Sequence, residues 1–155
     1  MNAVILAAGY ATRLRPLTET VAKPLLPIAR RPILDRLIDN LARVADLGAV
    51  HVVTNHRFAE AFERWALARV GGPRVIVLDD GTTSDADRLG ALGDLDWTVQ
   101  RTGLAGDDLI VLAGDNLFEF ELADFAAFYR AKGHGSAIAV HTVEDPALVR
   151  QYSAV

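Results

Sequence analysis

Short apolar runs alternate along the chain with longer stretches in which apolar residues recur every three or four positions. Ala3 to Ala7 is nearly all apolar, the pattern of a strand buried on both faces. A polar and proline-containing loop follows. Pro32 then opens a helix in which Ile33, Leu34, Leu37, Ile38, Leu41 and Val44 share one face, and Gly48 stops it. Ala49 to Thr54 reads as a second strand. Phe58 to Val70 reads as a second helix, with Phe58, Phe62, Trp65 and Leu67 toward the core and Gly71-Gly72-Pro73 as its terminator. Arg74 to Leu78 is a third strand, Leu89 to Leu104 a third helix and Leu109 to Ala113 a fourth strand. Leu122 to Lys132 is a further helix, capped by Gly133. Ser136 to His141 predicts a fifth strand, Pro146 to Gln151 a helical turn, and Tyr152 to Val155 the start of a sixth strand.

Strands alternating with helices define a Rossmann-like α/β fold: a doubly wound, mostly parallel sheet with right-handed crossovers and helices on both faces. By analogy with other doubly wound sheets, the expected strand order is third, second, first, fourth. Ligands bind such sheets outside the carboxyl ends of the strands. The polar residues collect there: Gly9 to Arg15, Thr54 to His56, Asp79 to Asp87, and Asp115-Asn116.

Bulk composition narrows the classes. The 155 residues suit one domain, and no cysteine is present, which excludes disulfides and thiolate metal sites. A net charge of -4 argues against a nucleic-acid scaffold or an anionic-membrane binder. No apolar run is long enough to span a membrane and no basic leader precedes the first strand, so a cytoplasmic location is the expectation.

The chemistry concentrates behind the first strand. Gly9 permits positive φ and close approach of backbone to a phosphate. Arg13 offers a planar fork of donors for a triphosphate, Arg15 a weaker case of the same, and each has a surface ion pair as its plain alternative. Lys23 precedes Pro24, so it sits in extended or turn backbone, as a mobile point charge. Neither GxGxxG nor Gly-Lys-Ser/Thr occurs, which removes the main support for dinucleotide binding and for P-loop hydrolysis. Asp115, at the carboxyl end of an apolar strand, is placed for Mg2+, which takes one or two carboxylates plus substrate phosphates; capping of the next turn is the alternative. Asp79, Asp80, Asp85 and Asp87 read as a solvated loop with caps. His51, His56, His134 and His141 show no ligand spacing and read as structural or surface residues.

LAAGYATRLRPLTETVAKPLLPIARRPIL, from Leu6, resembles the signature LAAGxGTRLxPLT…KPxLP of the sugar-phosphate nucleotidyltransferases, the NDP-sugar pyrophosphorylases. RLGALGDL, from Arg88, resembles their LGTAGAL base segment, and VLAGDNLF, from Val111, their GDN or GDV metal motif. The resemblance implies a Mg2+-dependent enzyme that joins a nucleoside triphosphate to a sugar 1-phosphate and releases pyrophosphate. It implies a nucleotide site of Leu6, Ala7, Ala8, Gly9, Tyr10, Ala11, Thr12, Arg13, Lys23, Asp85 and Gly90. Arg13 would stabilise the leaving pyrophosphate, Lys23 would balance charge at the α-phosphate, and Asp115 would ligate the metal. Three departures qualify it. Ala11 stands where the family has a second glycine. Asp85 falls near the base-reading glutamine, which makes CTP a candidate beside UTP and dTTP. The downstream Glu-Lys-Pro segment and a later metal-binding Asp are absent from the sequence, so residues 1–155 are expected to form the nucleotide-binding part of one domain, ending before the acceptor part. The alternatives are a nucleotide-binding fragment without turnover, or a cytidylyltransferase for phosphocholine or an inositol phosphate. A homo-oligomer is compatible with any of these.

Overall fold

The computed structural model describes residues 1–133, 135–140 and 142. Its centre is a four-stranded sheet of β1 (Asn2–Leu6), β4 (Ala49–Thr54), β5 (Arg74–Asp79) and β6 (Leu109–Ala113). Every neighbouring pair is parallel, and the order is β5-β4-β1-β6. This is the expected third, second, first, fourth arrangement, with the first strand in the interior.

The helices are α1 (Ile33–Leu41), α2 (Ala59–Leu67), α3 (Gly90–Thr102) and α4 (Leu122–Lys132). Ile33, Leu34, Leu37, Ile38 and Leu41 of α1 are all buried. Leu34, Leu37, Ile38 and Leu41 meet Ala3 and Ile5 of β1, Val50 and Val52 of β4, Phe62 of α2 and Leu122 of α4 in one cluster. Strand side chains alternate, so Val4, His51 and Val53 point to the opposite face, where they too are buried. There α3 lies over β1 and β4. The crossover from β5 to β6 runs back across the sheet, and a right-handed connection then requires α3 on that second face.

Two expectations need correction, and one element was not foreseen. Leu67 is 86% exposed. It lies nine residues after Phe58, about half a helical turn away from the Phe58, Phe62 and Trp65 stripe. Residues 136–140 are irregular, not a strand. Ile138 and Val140 are exposed there, and no described segment offers them a ladder partner. His141, the Pro146 to Gln151 turn and the Tyr152 to Val155 strand lie outside the described residues. A two-stranded hairpin, β2 (Pro27–Ile28) with β3 (Arg31–Pro32), was not expected. Its tip, Ala29 and Arg30, has φ of 49° and 71°, a conformation usually signalled by Asn-Gly.

Candidate nucleotide site

The hydrogen-bond ladder continues past the strand ends and ties four turns into one rim. Gly114 N–H donates to Leu6 O at 2.8 Å, Ala7 N–H to Val53 O at 2.8 Å and Asp80 N–H to Thr54 O at 2.9 Å. His56 N–H donates to Thr82 O at 2.9 Å. The loop after β1 is held from beneath by buried polar groups. Asn55, fully buried, donates through Nδ2 to Ala8 O at 2.8 Å and accepts Phe58 N–H at 3.2 Å. The Tyr10 hydroxyl donates to Thr82 Oγ1 at 3.4 Å, and burial pushes its pKa up. Thr18 Oγ1 donates to Ala11 O at 2.8 Å, and Leu14 N–H reaches the same oxygen at 3.0 Å.

Gly9 does not use positive φ; the left-handed residue of the loop is Ala11, at φ 45° and ψ 43°. The reason is the pair of donors on Ala11 O, which fixes a left-handed turn before the short 3-10 helix Thr12–Leu14. What Gly9 offers is space. A Cβ added there meets nothing within 4 Å, and the residue is exposed between buried Ala8 and Tyr10. Gly90, expected to contact the base, has φ of +78° and the same open surroundings.

Lys23 and Asp115 are in contact. Lys23 Nζ lies 2.6 Å from Asp115 Oδ2, with side chains 34% and 39% exposed. Gly114 makes this possible. A Cβ on it would sit 3.0 Å from Leu6 O, 3.2 Å from Ala7 Cβ and 3.2 Å from Pro24 Cγ, so glycine lets the Lys23-Pro24 segment lie against the end of β6 without displacement. Asp115 is therefore engaged by a cation at the rim. Arg13 and Arg15 are exposed, and among the described residues neither has an ion-pair partner.

The loop after β5 is self-organised by its acids, as its composition suggested. Asp87 accepts the Thr83 and Ser84 N–H groups at 3.0 and 2.8 Å and both hydroxyls. These donors hold its carboxyl well below the usual range. Asp85, the candidate base reader, pairs with Arg88 at 2.7 Å. His56 is a surface residue, but it has a carboxylate partner that spacing did not reveal. Its Nδ1 lies 2.6 Å from Asp79 Oδ2, which raises the imidazole pKa. The supporting roles of Thr18, Asn55 and Thr82 also had no sequence signal beyond a small polar residue near a strand end.

An open parallel sheet whose first-strand loop, Lys-Pro segment and Gly-Asp segment share the carboxyl-end rim defines an α/β protein of the nucleotide-diphospho-sugar transferase type. The chain belongs to the nucleotidyl transferase family, whose sequence model matches residues 2–148. It is 31% identical to a UTP–glucose-1-phosphate uridylyltransferase of Synechocystis sp., over 100% of this chain and 40% of that protein. It is 30% identical to a putative mannose-1-phosphate guanyltransferase of Sulfolobus acidocaldarius, over 94% of this chain and 38% of that protein. The chain thus spans about 40% of the length of these relatives. The fold matches a putative glucose-1-phosphate thymidylyltransferase from Bacillus anthracis with a TM-score of 0.66 at 21% identity, over 87% of this chain and 52% of that one.

Proposed function

We propose that this chain carries the nucleotide site of a sugar-1-phosphate nucleotidyltransferase, which transfers a nucleotidyl group to a sugar 1-phosphate and releases pyrophosphate. The observation that carries the reading is the Lys23–Asp115 contact at 2.6 Å beside the open Gly9 loop, made by segments 92 residues apart in sequence. A cation and a carboxylate held together on a rim lined by unobstructed backbone suit a metal-bound polyphosphate.

In this reading the loop from Leu6 to Thr12 wraps the triphosphate, with Gly9 giving the closest backbone approach. Arg13, without an ion-pair partner among the described residues, takes the β- and γ-phosphates and stabilises the charge that grows on the leaving pyrophosphate. Lys23 neutralises the α-phosphate while the acceptor's phosphate oxygen attacks phosphorus in line. That attack forms one P–O bond and breaks the α–β bridge, with no enzyme nucleophile. Gly90 and Asp85 flank the base, which is UTP, CTP or dTTP in the pyrimidine reading; the relatives' names include a guanyltransferase, so GTP belongs in the test.

The residues fit Mg2+. Asp115 is a hard-oxygen donor at the rim, and among the described residues no cluster of three or more His, Cys, Asp or Glu side chains forms a self-sufficient cage. One carboxylate with phosphates and water completing the shell is the usual Mg2+ arrangement. The ion would supply Lewis-acid charge neutralisation at the phosphates.

Calorimetric titration with the Mg2+ complexes of CTP, UTP, dTTP, ATP and GTP tests this, beside Arg13→Ala. Saturable binding of one nucleotide, weakened in the variant, is expected. A folded chain that binds none of the five overturns the reading. Pyrophosphate release across a panel of sugar 1-phosphates then tests turnover.

A further inference from the structure

Asp94 lies in the first turns of α3 and is only 6% exposed. It stands in RLGALGDL where the family segment LGTAGAL has alanine, so the aligned motif gives no reason for a carboxylate. Its acidic neighbour is Asp80, just past the end of β5, whose carboxylate disfavours a charge on Asp94. Asp94 Oδ1 and Asp80 Oδ2 are both buried, and no described group donates to either. Two carboxyls can share a hydrogen bond only when one of them is protonated. The other oxygen of Asp80 accepts Thr82 N–H and the Thr82 hydroxyl, each at 2.7 Å, and Thr82 Oγ1 in turn accepts the Tyr10 hydroxyl at 3.4 Å. A continuous chain therefore runs from Asp80 through Thr82 to Tyr10 of the loop after β1, and a proton shared by the two orphaned carboxyl oxygens would extend it to α3.

We propose that Asp80 and Asp94 hold one proton between them and act as positioning residues: the protonated pair fixes Thr82 and, through it, Tyr10, so that both loops are set to receive the nucleotide. Loss of the proton sets two buried carboxylates against each other and loosens both loops. The inference rests on the nucleotide reading of the rim. Burial and the neighbouring Asp80 push the Asp94 carboxyl up to about 6, which places the change in an accessible range. Among the described residues the other ionisable groups along this chain are Tyr10 with Asp87 and Arg57, which act on it electrostatically, the His56–Asp79 pair at the end of β5, and the Arg88–Asp85 pair further along the loop. His51 of β4 faces α3, and burial lowers its pKa. His56, whose pKa Asp79 raises, is a second titrating group on this rim, so the experiment is run in both the native and the His56→Gln chain.

Carboxyl carbon-13 titration of Asp-labelled chain reads the proton directly. One Asp carboxyl titrating near pH ~6, abolished in Asp94→Asn, with the Thr82 amide resonance moving in step, is expected. An Asp94 that titrates at the ordinary carboxylate value, or a Thr82 amide that does not follow it, overturns the proposal. Affinity for Mg2+ complexes of UTP, CTP and GTP gives the second readout. The native chain weakens by roughly threefold or more between about pH 5.5 and about pH 8, whereas Asp94→Asn, whose amide donates to Asp80 at every pH, stays flat. Asp94→Ala, which offers no donor, is weak at both ends. The native pH dependence persisting in Asp94→Asn overturns the positioning role. Failure of every variant to bind any nucleotide overturns the nucleotide reading and the positioning role together, while the carboxyl titration still decides the shared proton.

Discussion

Gly9 and Gly114 sit on the same rim but for opposite reasons, and alanine at each separates them. At Gly114 the added Cβ falls 3.0 Å from Leu6 O, the acceptor of the Gly114 N–H bond, and 3.2 Å from Ala7 Cβ and Pro24 Cγ. Two of these atoms belong to the buried end of β1 and its loop, so the compliant element is the Lys23-Pro24 segment. Overpacking of this kind costs about 1–3 kcal/mol. Moving Pro24 outward by a few tenths of an ångström also pulls Lys23 from Asp115, so nucleotide affinity falls as well. At Gly9 the backbone φ is ordinary and nothing lies within 4 Å of the added methyl. Stability there is expected to stay within ~0.5 kcal/mol, or to rise slightly because alanine restricts the unfolded chain. The methyl instead meets the phosphate, and affinity drops by tenfold or more, about 1.4 kcal/mol. Urea unfolding and nucleotide calorimetry on the two variants read both quantities. A Gly114→Ala chain with native stability, or a Gly9→Ala chain with native affinity, refutes the reasoning.

Three further outcomes are expected. Asn55→Ala leaves Ala8 O and Phe58 N–H buried without their side-chain partner and is expected to lower unfolding free energy by about 2–4 kcal/mol in urea titration, since two bonds are lost. Lys23→Ala breaks an exposed ion pair, so melting shows no more than ~1 kcal/mol of change while nucleotide affinity falls; a large stability loss with unchanged affinity would make the pair structural. Stability is also expected to depend on pH through Asp94. A carboxyl raised from 3.8 to about 6 binds its proton more tightly folded than unfolded. Its stabilising protonation is therefore fully present at low pH and is lost as pH rises through the folded value. The two-unit rise corresponds to at most about 3 kcal/mol, and Asp94→Asn should remove that slope in melts across this range. His56 acts with the same sign, since Asp79 raises its pKa, and His56→Gln isolates its share.

The sheet was legible because its signal is local. Apolar runs of five or six residues bounded by Gly, Pro and Asp place β4 and β6 to the residue, and the α/β alternation then leaves few orders for the strands. Of the charged residues expected at the rim, Lys23 and Asp115 are brought into contact and Arg13 stays exposed, and their gathering could be expected because all three follow short apolar strands or their loops. What supports them was not legible. Thr18, Asn55 and Thr82 act through buried bonds to backbone or neighbouring side chains, and a small polar residue in a loop looks the same whether its partner is water or Ala8 O. The tip of the β2–β3 hairpin hid for a related reason: Ala29-Arg30 adopts positive φ without the residues that favour it.

Ala11 shows how these two layers work together. A left-handed alanine costs about 1–2 kcal/mol, and a glycine would lower that cost while freeing the loop. Instead, Thr18 and Leu14 both donate to Ala11 O, and the turn is held in the one conformation that leads Thr12, Arg13 and Leu14 into the 3-10 helix. Strain at a residue next to the proposed phosphate position, offset by buried hydrogen bonds, is a means of fixing the loop before ligand arrives. The open space over Gly9, the exposed Arg13 and the Lys23–Asp115 pair then lie on a frame held by Asn55, Thr82 and Gly114. On the proposed reading, binding energy would go into contacts with the polyphosphate and little of it into ordering the loop, which is the condition under which charge placement can favour a transition state.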